Sequence, residues 1–140
     1  MTDDEIASIR KKKEEMLKKI MAMPDEVLHI ENPQQFNEIV EKYQDVPIIL
    51  DFWAPWCGPC KAFGPTFEAA QQSDWGEHFI FAKVNTESAA GAVASALGVS
   101  GIPTVIFIKN KKEIHRKVGA MRKNQFFNLL GKIHKALQQA

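Results

Sequence analysis

The chain has 140 residues, 45% hydrophobic and 25% charged, a balance that suits one globular domain with its own core. Its formal net charge is +1, with acids and bases interspersed, which argues against a field built for nucleic acid or an anionic membrane. No apolar run approaches the roughly 18 residues of a membrane span, and the start MTDDEIASIRKKKEE resembles neither a secretory signal nor a transit peptide, so the expectation is a cytoplasmic protein.

Residues 1–25 read as an amphipathic extension. Ile6, Ile9, Met16, Leu17, Ile20 and Met21 fall on one side of a helix, with RKKKEE opposite. Such a segment packs on the domain as an added helix, stays solvated, or docks a partner. Acids near Lys11 to Lys13 offset their charge and disfavour nucleic acid or membrane. The domain itself is expected over 26–140. VLHI (27–30) is a short strand candidate, and PQQFNEIVEKY (33–43) a helix with Phe36, Ile39, Val40 and Tyr43 on one face. VPIILDFWA (46–54) is almost wholly apolar, as expected of a strand covered on both faces.

From Cys60 onward, KAFGPTFEAAQQ spaces Ala62, Phe63, Thr66, Phe67 and Ala70 as a helix, with Gly64-Pro65 predicting a kink. FIFAKVN (79–85) is another strand, followed by an alanine-rich helix near 88–97. PTVIFIK (103–109) and KEIHRKV (112–118) form a hairpin turning at Asn110-Lys111, and MRKNQFFNLLGKIHKAL closes the chain as an amphipathic helix. This alternation predicts an α/β fold, a mixed sheet with helices on both faces.

The segment DFWAPWCGPCK holds both cysteines, Cys57 and Cys60. As a staple, a ring of about four residues contributes only ~2 kcal/mol. As a metal clamp the pair lacks partners: structural zinc takes four ligands, and His29, His78, His115 and His134 are scattered singly. Only a site shared across a dimer interface stays open. A reactive pair fits the neighbours better. Pro59 suits a first helical turn, where its missing N–H is not needed, and Cys57 then sits at or just before the helix N-terminus. Unsatisfied N–H groups and the macrodipole stabilise a negative charge there by ~0.3–1 kcal/mol, up to ~2 when partly buried. Cys57 is thus the better attacker, and Cys60, one turn in, is placed to resolve a mixed disulfide.

Asp51 and Lys83 interrupt otherwise apolar strands. Either they lie near each other beneath the helix that follows Cys57, where Asp51 takes the proton from Cys60, or both point to solvent from a sheet edge or strand end. Trp53 serves equally as core or as site, whereas Trp56 reads as an exposed docking face.

These residues resemble the thioredoxin family. DFWAPWCGPCK is similar to its active-site segment, GIPT (101–104) to its second signature and KVGA (117–120) to its third, in the same order. Glu87 departs from the aspartate usual after the third strand, and Lys111 from the turn glycine. The resemblance, over about residues 27–138, implies the thioredoxin fold: a central mixed five-stranded sheet flanked by four helices, here with an N-terminal extra helix. It implies attack by Cys57, resolution by Cys60, a buried proton acceptor at Asp51 and a charged neighbour at Lys83. Pro103 resembles the family's cis-proline, beside which the backbone of Ile102 meets an extended substrate segment. Trp56, Gly58, Pro59, Ile102, Pro103, Gly119 and Ala120 then bind the target.

The expected activity is reduction of disulfides in other proteins, with no cofactor beyond the redox-active cysteine pair and no metal. The chain has no G-x-G-x-x-G, so the resemblance implies an external thioredoxin reductase, NADPH- or ferredoxin-linked, acting on a monomer. Two alternatives are an oxidase or isomerase on the same fold, and a redox-dependent adaptor working through the extension.

Overall fold

Alternation along one strand decides the architecture. In the computed structural model, which describes residues 1–139 apart from the side chains of residues 18–21, the order of elements is α1 (Asp3–Ala22), β1 (Leu28–Ile30), α2 (Pro33–Lys42), β2 (Ile48–Trp53), α3 (Gly58–Gln72), a 3-10 turn (Asp74–Glu77), β3 (Ile80–Asn85), α4 (Gly91–Ala96), β4 (Thr104–Lys109), β5 (Lys112–Val118) and α5 (Lys123–Gln139). In β2, Ile48, Leu50 and Phe52 face one core with Val40, Ala90, Val93 and Ala94 from the α2 and α4 side. Ile49 faces the other, with Phe63, Phe67, Phe126 and Leu130 from α3 and α5. β3 and β4 repeat the pattern, because successive strand side chains point to opposite faces: Ile80, Ala82, Val84, Ile106 and Ile108 join the first core, Phe81, Val105 and Phe107 the second. A strand buried on both faces reads as the continuous apolar run found in the sequence.

The five strands lie in the order β1-β3-β2-β4-β5. β1, β3 and β2 are parallel, and β4 and β5 pair antiparallel to their neighbours. The sheet is mixed, five-stranded and flanked by α2 to α5, with α1 as the added helix. Asn110 and Lys111 turn the β4–β5 hairpin with φ of 52° and 65°, the left-handed pair a two-residue turn requires. Lys111 manages it without glycine, and its ammonium pairs with Glu41 on α2.

Two boundaries differ from the sequence pattern, each for a local reason. The alanine-rich helix is only Gly91–Ala96, because Ser88 makes a turn first: its Oγ accepts the Ala90 N–H at 3.1 Å. A Cβ on Gly91 would lie 2.5 Å from the Thr86 carbonyl oxygen, so the helix starts pressed against the chain leaving β3. α3 begins at Gly58, two residues before Cys60, and runs on through Pro65. At α2, Asn32 is a regular cap, its Oδ1 accepting the Gln35 N–H at 2.8 Å with Pro33 in the first turn.

The extension is helical, with Asp3, Asp4 and Glu5 in its first turn. Ile9, Met16 and Leu17 are exposed rather than packed on the domain. Ile20 and Met21, assigned to the same face by the periodicity, lie outside the described residues. No described helix is long and apolar enough to cross a membrane.

Phe67 is the hub of the α3 face, its ring centroid 6.0, 5.2 and 5.9 Å from those of Phe63, Phe81 and Phe126. Phe67→Ala is expected to cost ~3–5 kcal/mol, read from denaturant midpoints at neutral pH. A loss below ~1 kcal/mol would show that this core closes over the gap.

Candidate active site

β2 delivers the chain to a tight turn and α3 takes it away. Beyond Trp53, Ala54 is buried and its carbonyl accepts the Cys57 N–H at 3.1 Å. Cys57 has extended dihedrals (φ −89°, ψ 108°) and occupies the N-cap of α3. Its Sγ accepts the Cys60 N–H at 3.3 Å, and Pro59 has no N–H to be left without a partner. Cys57 and Cys60 form a disulfide, their Cα atoms 5.2 Å apart. Both are buried, Cys57 5% exposed and Cys60 3%, while Gly58 and Pro59 are exposed.

The loop before β4 closes over the sulfurs. The Ile102–Pro103 bond is cis, Pro103 is buried, and the Ile102 carbonyl oxygen lies 4.0 Å from Cys57 Sγ. Ile102 and Trp53 pack against Ala54, Cys57 and Cys60. The Pro103 carbonyl accepts the Gly119 N–H at 2.7 Å, and Gly119 has φ of 97°, a conformation that favours glycine. Ala120 follows on the surface. Trp56 is 68% exposed, and its indole N–H donates to Glu87 Oε1 at 2.8 Å.

Asp51, fully buried, and Lys83, half-buried, lie on interior strands rather than at a sheet edge. They are register partners on β2 and β3, both flanked by other strands, so the solvent-facing alternative does not hold. By alternation both project to the α3 side, as Ile49 and Phe81 do. The Lys83 ammonium lies 4.7 Å from the Trp53 ring centroid, and 3.8 Å from where a Cβ on Gly64 of α3 would sit. Asp51 is fully buried, and neither carboxylate oxygen has a hydrogen-bond partner among the described residues. Burial pushes its carboxyl up to about 7, and the positive charge of Lys83 pulls the other way without prevailing.

Comparison with known proteins gives this geometry a context. A family model described as thioredoxin matches residues 27–132. The chain belongs to the thioredoxin family. It is 41% identical over 105 residues to the thioredoxin of Haemophilus influenzae, covering 75% of this chain and 94% of that one. A thioredoxin of Malassezia sympodialis is 36% identical over 91 residues, 65% of this chain and 84% of that one. Among solved structures, spinach chloroplast thioredoxin f superposes with a TM-score of 0.70 at 27% identity, covering 79% of this chain and 96% of that one. The Malassezia sympodialis thioredoxin structure does so with a TM-score of 0.69 at 31%, over 77% and 90%.

As a thioredoxin-family member carrying the Cys57–Cys60 pair in a WCGPC segment, the chain is a thiol–disulfide oxidoreductase of the protein-disulfide reductase type. The family implies disulfide-containing targets and a reductase, and thioredoxins in general carry no cofactor. Among the described residues no three His, Cys, Asp or Glu side chains gather where a metal ion could sit.

The structure brings Cys57, Cys60, Trp53 and Ile102 into one cluster of contacts, with Pro103 joined to Ile102 by the cis bond and Gly119 to the Pro103 carbonyl, and sets Asp51 and Lys83 on the sheet face beneath α3. Trp56 with Gly58 and Pro59, and Ala120 beyond Gly119, are exposed beside it. Sequence reasoning missed the Trp56–Glu87 hydrogen bond, for which only the unusual glutamate was a signal. Thr104, which buries its hydroxyl and donates to the Gly101 carbonyl at 2.5 Å, was also missed.

Because the folded-state pKa of Asp51 lies above the unfolded value of 3.8, the folded protein binds the proton more tightly. The contribution of Asp51 to stability is therefore fully present below about pH 4 and is lost as pH rises through about 7. Three units at 1.36 kcal/mol each set the loss at about 4 kcal/mol. Asp51→Asn is expected to remove that fall, matching the parent near pH 4 and exceeding it at pH 8 by up to about 4 kcal/mol. Denaturant midpoints of the oxidised proteins across pH 4–8 read this directly. An equal fall in the variant would assign the pH dependence to other groups.

Proposed function

We propose that Cys57 and Cys60 reduce target disulfides in two displacements. Cys57 thiolate attacks one sulfur of the target bond, expels the other as a thiol after it takes a proton, and leaves a mixed disulfide. Cys60 then gives its proton to Asp51, attacks Cys57 Sγ, and releases the second target sulfur. Two electrons pass to the target and the chain ends with the Cys57–Cys60 bond. The observation that carries this reading is the N-cap position of Cys57, whose sulfur already accepts the Cys60 N–H at 3.3 Å. A thiolate there gains ~0.3–2 kcal/mol from the helix terminus, and a charge-assisted hydrogen bond besides.

The supporting roles follow from position. The free backbone of Ile102 offers an edge for an extended target segment. Trp56, Gly58, Pro59, Pro103, Gly119 and Ala120 form the surrounding contact surface, with Trp56 oriented by Glu87. Lys83 tempers the cost of ionising Asp51, which burial keeps near the pH at which a proton passes back and forth. A lone close-spaced pair of this kind works as a catalyst in the reducing cytoplasm. There an external reductase, NADPH- or ferredoxin-linked, returns the two electrons to a monomeric carrier.

The roles of the two cysteines separate in trapping. Reduced Cys60→Ser, mixed with an oxidised target protein, is expected to accumulate a covalent adduct visible by intact mass, and Cys57→Ser to form none. An adduct through Cys60 in Cys57→Ser would reverse the assignment.

We also assign the extension, residues 1–25, to a separate unit from the redox domain, residues 26–140, in keeping with the family match beginning at residue 27. Deleting residues 1–25 is expected to leave the rate of disulfide reduction within about twofold. Unchanged turnover with loss of a partner from pull-downs would favour an adaptor role for the helix. A collapse of turnover would make α1 part of the redox domain.

A further inference from the structure

The near-neutral total conceals a segregation of charge along the chain. Six of the 18 Lys and Arg lie beyond Glu113 and none of the 17 Asp and Glu do, so residues 114–140 carry +6 against −5 for the first 113. The fold gathers part of this charge along one groove. Between β5 and α5 runs a groove of about 470 Å³, lined by Lys117, Gln125, Asn128, Lys132, Met121 and Leu129. Val118 and Ala120 complete its wall, and these two residues flank Gly119, which is hydrogen-bonded to the Pro103 carbonyl. The groove therefore opens next to the loop that covers Cys57.

The donors in the groove are not committed elsewhere. Arg116, one residue before Lys117, is held by Glu113 and donates to the Leu97 and Gly98 carbonyls. Lys111 is held by Glu41. Among the described residues Lys117 and Lys132 form no ion pair, and both are exposed. Gln125 uses its carbonyl oxygen to accept the Arg122 N–H at 3.0 Å, which leaves its amide hydrogens free. Two ammonium groups and amide donors over an apolar floor of Met121 and Leu129 match carboxylate side chains on an extended polypeptide.

We propose that the β5–α5 groove is a docking subsite for an acidic stretch of the target, adjoining the disulfide being reduced. The proposal rests on the oxidoreductase reading and adds a class of preferred substrate to it. Charge here acts mainly on encounter. Complementary charges raise the association rate by tenfold or more at low salt, within a range of about 10 Å at 0.1 M ionic strength.

The experiment uses the full reduced chain and three synthetic peptides that share one disulfide but carry Asp and Glu, Ser and Gln, or Lys a few residues from it. Second-order rates of reduction are followed by stopped-flow tryptophan fluorescence at low and high salt. The acidic peptide is expected to be reduced roughly tenfold faster than the neutral one at low salt, and the ratio to approach one at 1 M, where screening acts within about 3 Å. In Lys117→Gln/Lys132→Gln the ratio should fall several-fold. The same loss of charge in α1, Lys12→Gln/Lys13→Gln, should leave the ratio as in the parent. Reduction of all three peptides at equal rates, or an equal drop in ratio for the α1 variant, would overturn the groove and leave the redox reading standing. Failure to reduce any peptide would overturn the redox reading itself.

Discussion

A sulfur atom caps the helix on which the chemistry depends. Helices usually begin on the side-chain oxygen of Ser, Thr, Asp or Asn, and α3 begins on Cys57 Sγ. In the disulfide form that sulfur is a weak, uncharged acceptor for the Cys60 N–H. As a thiolate it becomes a charged one at the positive end of the helix, and the same bond strengthens. The cap is therefore worth more in one redox state than in the other. Everything nearby conforms to this need: the turn through the Ala54 carbonyl that sets Cys57 in extended geometry, a proline in the first turn where no donor is required, and the Ile102–Pro103 loop closing over the sulfurs.

Asp51 carries a constraint of the opposite kind, since burial makes its ionisation costly. A fully buried carboxyl with no hydrogen-bond partner destabilises the fold once it ionises. It is tolerated because β2 is central, with Ile49 on its own face and Ile48, Leu50 and Phe52 on the other held in two well-filled cores. Only a strand anchored on both faces can hold an unpartnered acid in place.

Much of this was legible in the residues. The continuous apolar run of β2 announced a strand covered twice, and Asp51 and Lys83 stood out because charge interrupts such a run. Periodicity located α2, α3 and α5 to within a few residues. What escaped depends on contacts between distant segments. The start of α4 is set by Gly91 pressing on the Thr86 carbonyl, which no helical pattern records. Trp56 and Glu87 are 31 residues apart, so their hydrogen bond has no local signature. A cis bond at Pro103 rested on family resemblance alone, since trans is the usual state of such bonds. The amphipathic pattern of α1 foretold a helix, but periodicity cannot say what its apolar face meets. A net charge of +1 was misleading for a similar reason: a sum carries no information on where the charges lie.

Where they lie bears on how the proposed groove would select among targets. The surface around Cys57 is built from an exposed indole, a glycine, small side chains and backbone atoms, groups that fit almost any extended segment and distinguish few. Contacts of that kind contribute similarly to every target. Discrimination then has to come from groups that reach beyond the shape of the site, and charge is the longest-ranged interaction available in water, acting across about a Debye length. Lys117 and Lys132 stand on long flexible stems beside the site rather than in it, so they can bias which molecules arrive without altering the geometry in which sulfur attacks sulfur. Keeping the two functions on separate elements, the N-terminus of α3 for chemistry and the β5–α5 groove for selection, lets one vary while the other is held fixed.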